Sequence, residues 1–167
     1  MPIDTKHAER RTLRFATLDD ALADARRLAS GAIRVTGNRT PEDLFGHLAK
    51  AIDADLDGLD RDALPWSLRL LRPIGPLLRY PAVHWPMPAG FRLPTTMEPQ
   101  FLVARPGSLA EELQRFAAAV DRANSQSEPI RHAVFGRMTP EQVRQHHCRH
   151  AELHLSFLHR DAESRTE

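Results

Sequence analysis

The sequence predicts an all-α protein built as a four-helix bundle, with a long proline-rich crossover between helices two and three. Four segments start with a serine or threonine that is followed three residues later by an acid or a glutamine, which is the capping-box pattern of helix starts. Each start is followed by apolar residues at helical spacing. Nine of the 13 prolines fall between residues 65 and 106, where they exclude a long helix.

The four predicted helices follow from their caps and from the residues that end them. The capping boxes pair Thr17 with Asp20, Thr40 with Asp43, Ser108 with Glu111, and Thr139 with Gln142. Gly31 and Gly58 are glycine stops after the first two helices. We therefore expect helices over residues 18–30, 41–57, 109–124 and 140–160.

The chain length predicts a single domain over residues 1–167. Within this domain, we expect an N-terminal arm at residues 1–15 and a flexible tail at residues 161–167. The crossover carries apolar anchors such as Trp85 and Phe91, so we expect it to pack on the bundle.

Composition excludes several classes of function. The net charge is +1 and the arginines are scattered among acids, so nucleic-acid binding is not expected. The single cysteine, Cys148, rules out a disulfide within the chain and is typical of a reducing cytoplasm. The N-terminal residues lack the apolar core of a signal peptide, and no window approaches the ~18 apolar residues of a membrane span. These features predict a soluble cytoplasmic protein with no membrane segment.

Histidines are concentrated near the C-terminus, where five of the nine lie between residues 141 and 160. Successive residues of a helix turn by ~100°. This rotation places His147, His150 and His154 on the apolar face of helix four, which should point at the core. On the same wheel His146 lies to one side of that face and His159 points roughly the opposite way, and we expect both at the surface.

Imidazoles in the middle of an apolar face need partners for their nitrogens. One interpretation is a metal ion, because histidines at i and i+4 can bring two ring nitrogens to one ion. The other is a pair of core histidines that hydrogen-bond to carboxylates or water. A third ligand would have to come from another helix. His47 lies at the edge of the apolar stripe of helix two, where it is either a boundary residue or a ligand, and Gly46 beside it permits close helix approach.

Two further residues are candidates for groups around such a site. Asp55 falls on the inner face of helix two, two turns beyond His47, where it either orients a ligand, acts as a base or is only an acid near the helix end. His147 either carries protons to the site or packs against the neighbouring loop.

The order of several short words resembles the DinB/YfiT-like superfamily, most closely a DinB-like bacterial family of unknown function. The words are RRTLRF, HLAKAI, PAGFRLP and HAVFGRMTPEQ, and the resemblance spans residues 10–158. It implies a four-helix bundle in which His47, His150 and His154 converge on a divalent metal ion, nickel or zinc.

The resemblance also implies a kind of chemistry. Three imidazoles with an open fourth position are typical of a catalytic metal site, and the superfamily includes thiol-dependent transferases and hydrolases of small molecules. We therefore expect metal-dependent transfer or hydrolysis of a small molecule, with a low-molecular-weight thiol as a partner and a homodimer as the assembly. The alternatives are a non-catalytic helical bundle that binds metal, and a structural dimer whose histidines bind no metal.

Overall fold

The computed structural model describes residues 3–58, 66, 70, 72–90 and 102–161. The fold of these residues is mostly helical, with α1 (Leu18–Ala29), α2 (Pro41–Asp57), α3 (Gly75–His84), α4 (Leu109–Ser125) and α5 (Pro140–Leu155). Residues 91–101 of the predicted crossover and 162–167 of the predicted tail lie outside the described residues. Within the described ranges, no helix combines the length and the apolar character needed to cross a bilayer.

All four predicted capping boxes are present, at the starts of α1, α2, α4 and α5. In α5 the N–H of Gln142 donates to Thr139 Oγ1 at 3.2 Å, and the N–H of Thr139 donates to Gln142 Oε1 at 3.0 Å. The bounds of α2 agree with the prediction at both ends, and those of α1 and α4 agree within one residue. The capping signal therefore positions the helix starts correctly.

Two short antiparallel sheets correct the all-α prediction. β1 (Ile33–Val35) pairs with β4 (Leu158–Arg160), and β2 (Ile130–His132) pairs with β3 (Gly136–Met138). Helix α5 consequently ends at Leu155 and not at residue 160, because residues 158–160 form β4 and pair with β1. The N–H of Thr36 extends this pairing by donating to Phe157 O at 3.0 Å. β1 and β4 are so distant in sequence that their pairing leaves no local signal.

Helices α1, α2, α4 and α5 share one hydrophobic core. Its large side chains with almost no exposure include Leu28 of α1, Phe45 of α2, Phe116 of α4 and Leu155 of α5. Burial of each such side chain contributes roughly 1.5–3 kcal/mol. This core holds α2 and α5, the two helices that carry most of the candidate site.

Gly46 allows α2 to approach α4 closely. A Cβ at this position would lie 2.6 Å from Glu112 Oε2 and 2.8 Å from Val103 Cγ2. The close approach predicted for Gly46 is therefore present, and its partner is α4 together with the segment that precedes it.

Helix α3 and the β2–β3 hairpin cover one side of α5. Val83 of α3 packs with Met138 of β3 and Val143 of α5 in a small second core. Helix α3 passes through Pro81, so the crossover contains more helix than its prolines suggested. Pro81 has no N–H for the carbonyl of Leu77, but Leu77 is 76% exposed and water can reach that face.

The N-terminal segment is held against α1 and α5. Arg11 pairs with Asp24 of α1 at 2.6 Å between Nη2 and Oδ2, and its backbone N–H donates to Ser156 O at 2.8 Å. The N–H of Phe15 donates to Glu152 Oε1 of α5 at 2.6 Å. The part of the predicted arm nearest α1 is therefore fixed to the helices.

Candidate metal centre

Three histidines from two helices meet at the interface of α2 and α5; we call them the histidine trio. His47 lies near the end of the second turn of α2, while His150 and His154 lie one turn apart on α5. Spacing of four residues places the last two on the same side of α5. The fold brings His47 to them across a sequence separation of 103 residues.

The Nε2 atoms of the trio face one another. His150 Nε2 lies 3.1 Å from His47 Nε2 and 2.9 Å from His154 Nε2. The ring planes are close to perpendicular, with angles of 86°, 77° and 71° for the three pairs. One ligand atom from each ring lies within 4.8 Å of the others, so the trio is a group that can hold a metal ion.

These separations suit imidazoles that bind one ion. Metal–nitrogen bonds of ~2.0–2.1 Å at angles between roughly 90° and 110° place two ligand nitrogens about 2.9–3.4 Å apart. Neutral rings without an ion fit less well, because His150 Nε2 has two nitrogen neighbours and at most one hydrogen. His47 is 4% exposed, whereas His150 and His154 are half-buried. The trio is therefore closed on the α2 side and reachable by solvent on the α5 side.

The two rings that α5 contributes to the trio, His150 and His154, are neutral at pH 7. Burial, and then the charge of neighbouring histidines, lowers the pKa of His150 well below its ordinary value. Burial also lowers the pKa of His154, followed by the charges of His47 and Arg39. Both rings consequently keep the lone pair that a ligand histidine needs.

The sequence predicts Asp55 and His147 as groups around the trio. In the structure they belong to a second buried group, which also contains His132 and His146. We call these four residues the Asp55 cluster. Asp55 Oδ2 lies 3.2 Å from His147 Nε2, and Asp55 Oδ1 lies 3.5 Å from His132 Nε2. The ring centroid of His147 is 6.4 Å from that of His150. His147 therefore links the Asp55 cluster to the trio.

Two surface predictions are wrong. His146 is only 9% exposed, because α3 and the β2–β3 hairpin cover a second side of α5 that a wheel with one inward face does not reveal. His159 lies in β4 and not in a helix, its side chain is 13% exposed, and its Nδ1 lies 3.8 Å from Glu9 Oε1.

His132 lies in β2, outside the helices that the sequence predicts, so helical periodicity does not relate it to the other histidines. The hairpin brings its ring to within 5.5 Å of the His146 ring, measured between centroids. The available signal was the adjacent pair at positions 146 and 147, which places titratable side chains on two faces of one helix. The partners on the second face depend on tertiary structure.

Cys148 is buried on the side of α5 away from the trio, ~200° around the helix from His150. Burial, and then nearby carboxylates, raises the pKa of its thiol to about 12. The thiol stays protonated at neutral pH and is not a nucleophile.

The family comparison covers almost the whole chain. A family model described as "Protein of unknown function (DUF1569)" matches residues 7–161, a span that includes the trio and the Asp55 cluster. No curated protein and no solved structure matches the chain. With a match of this length, the chain belongs to the DUF1569 family of proteins of unknown function.

Proposed function

We propose that the protein is a divalent-metal-dependent enzyme that acts on a small molecule at the histidine trio, by hydrolysis or by thiol-dependent transfer. The observation that carries this proposal is the convergence of three Nε2 atoms from two helices, with contacts of 3.1 and 2.9 Å at His150. The proposal includes a zinc or nickel ion and a DinB/YfiT-like four-helix arrangement of α1, α2, α4 and α5.

The chain's own part in this chemistry is to hold three imidazole rings in place. A metal ion with three protein ligands and an open position lowers the pKa of a bound water or thiol. The caps at Thr40 and Thr139 start the two helices that carry the rings. His47 forms the closed, inner side, and the half-buried side of His150 and His154 is left for a substrate.

Arg39 suggests the charge of that substrate. Its guanidinium is close enough to His154 for its charge to lower the pKa of that ring. It immediately precedes the cap of α2 and is half-buried. A positive charge near His154 favours a carboxylate or phosphate group. We therefore propose an anionic small molecule as substrate.

Loading the protein with metal and then assaying it tests the proposal. Protein without a histidine tag is stripped with a chelator, loaded with Zn²⁺ or Ni²⁺, and assayed for two reactions. One is hydrolysis of activated carboxylic and phosphate esters; the other is conjugation of a low-molecular-weight thiol to an aromatic electrophile. We expect metal-dependent activity in at least one assay, lost in His150→Ala and retained in His84→Ala, which changes an exposed histidine of α3.

The outcomes separate the enzyme from its alternatives. Binding of metal without activity in either reaction would contradict catalysis and support a non-catalytic metal-binding bundle. A protein that binds no metal would leave the histidines as structural residues. The proposed homodimer has its own test, since sedimentation as a monomer with and without metal would contradict it. The cytoplasmic location stays a prediction.

A further inference from the structure

The Asp55 cluster brings one carboxyl and three imidazole side chains together in the protein interior. Hydrophobic packing does not explain such a group. Among its members, Asp55, His132 and His146 each offer one ligand atom within 4.8 Å of the others. Asp55 is 8% exposed and His146 is 9% exposed. The Asp55 carboxylate lies among these rings, with Oδ2 3.2 Å from His147 Nε2 and Oδ1 3.5 Å from His132 Nε2. Buried charge of this kind needs compensation.

Backbone contacts determine where two of the rings carry their hydrogens. His146 Nδ1 lies 3.3 Å from Ala82 O, and a carbonyl only accepts, so Nδ1 carries the hydrogen and Nε2 has the lone pair. His132 Nδ1 accepts the N–H groups of Val134 and Phe135, each at 3.1 Å. His132 Nε2 therefore carries the hydrogen, and it lies 3.5 Å from Asp55 Oδ1. His146 is free to be a ligand, whereas His132 is a donor.

His147 is the least satisfied member of the cluster. It is 3% exposed, and within the described part of the chain its Nδ1 makes no hydrogen bond. Its Nε2 lies 3.2 Å from Asp55 Oδ2. A buried nitrogen left without a partner costs ~1–3 kcal/mol. A separation near 3.2 Å is, however, the roughly expected one for two ligands of the same ion.

We propose that Asp55, His146 and His147 form a second divalent-metal site, separate from the histidine trio, and that His132 positions the carboxylate by donating to Oδ1. One carboxylate and two imidazoles suit a first-row divalent transition ion such as Zn²⁺. The ion supplies a positive charge beside the buried carboxylate and a partner for the lone pairs of both rings. This assignment goes beyond the proposed function, because it needs neither occupancy nor catalysis at the trio.

Counting bound ions tests the second site. Full-length protein without a tag is stripped, loaded with Zn²⁺, desalted and analysed for zinc per chain. We expect two ions in the wild type, one in His150→Ala, one in Asp55→Asn and none in the double variant. Asp53→Asn is the matched control: it changes an acid of the same helix that is 42% exposed and paired with Arg122, and it should keep two ions.

Asp55→Asn keeps the shape of the side chain, and far-UV circular dichroism checks that it folds. His146→Gln provides a second variant that retains a donor for the Ala82 carbonyl but removes the ligand nitrogen; it should also bind one ion. If Asp55→Asn and His146→Gln both bind as many zinc ions as the wild type, the second site is overturned, whatever happens at the trio. A single ion lost in both Asp55→Asn and His150→Ala would overturn its independence.

The positioning role of His132 has a separate readout. His132→Ala should raise the Kd of the second ion by about 10- to 100-fold, as loss of a group that orients a metal ligand does. His132→Gln retains an N–H donor and should recover part of that affinity. Competition with a chromogenic chelator measures both values on protein in which His150→Ala removes the trio site. Equal Kd values for the histidine and alanine proteins would overturn the positioning role.

Discussion

We predict that the metal-free protein loses stability in mild acid, because several of its histidine rings are buried. Burial lowers the pKa of His146 to about 3, and it lowers the pKa of His150 and of His154 well below the ordinary value. The unfolded chain takes up protons below its ordinary histidine pKa of ~6.5, whereas these rings in the folded chain do not. Acid therefore favours unfolding, and the stability present above pH ~6.5 is lost as the pH falls toward the folded pKa values.

The magnitude follows from proton linkage. For each such ring, the free energy of unfolding falls by about 1.4 kcal/mol when the pH is lowered from 7.5 to 5.5. Three rings together lower it by about 4 kcal/mol. His132, whose pKa burial also lowers, adds to the loss. Glu152, whose pKa burial raises, opposes it. A loss of about 4 kcal/mol is a large part of the 5–15 kcal/mol that stabilises a typical domain.

Urea unfolding with chelator present, followed by circular dichroism at pH 7.5, 6.5 and 5.5, measures this loss. His146→Gln should remove about a third of the pH dependence, because it removes one of three similar rings. His84→Gln changes an exposed histidine of α3 and should keep the wild-type dependence. An unfolding free energy that is equal at pH 7.5 and 5.5 would refute the reasoning.

Three further predictions concern stability, each checked by urea unfolding at pH 7.5. Gly46→Ala should cost about 1–3 kcal/mol, because the new Cβ would lie 2.6 Å from a carboxylate oxygen of α4; a neutral result would show that α2 and α4 are less closely packed. Glu152→Ala should cost about 3–5 kcal/mol, because it leaves the guanidinium of Arg149, which is 1% exposed, without its partner at 2.9 Å. Combining Glu152→Gln with Arg149→Met should cost less than Glu152→Ala alone, and a larger cost would contradict the role of the unpaired charge. Thr139→Ala should cost about 1 kcal/mol by removing the cap of α5, whereas the exposed Ser127→Ala should change stability by less than about 0.5 kcal/mol.

Local signals were sufficient for the helices and for two of the three trio histidines. A capping box acts within four residues, so the starts at Thr40 and Thr139 are readable from the sequence alone. The spacing of His150 and His154 predicts that they share a face. His47 needed the family resemblance, because a histidine at the edge of an apolar stripe is more often a boundary residue.

The remaining features depend on partners that are distant in sequence. β4 exists because β1 lies beside it, and this pairing ends α5 at Leu155. The burial of His146 and the role of His132 depend on α3 and on the β2–β3 hairpin, which cover α5 from a side that helical periodicity does not indicate. Tertiary packing, and not local propensity, determined these positions.

X-ray absorption spectroscopy of zinc bound to Asp55→Asn protein tests the histidine trio most directly, because this variant should hold zinc only there. We predict three imidazole nitrogens at ~2.0–2.1 Å from the zinc, with one further light ligand. His47→Ala in the same background should reduce the imidazole count or abolish binding. A zinc environment with fewer than three imidazoles, or one that His47→Ala leaves unchanged, would contradict convergence of the trio on one ion.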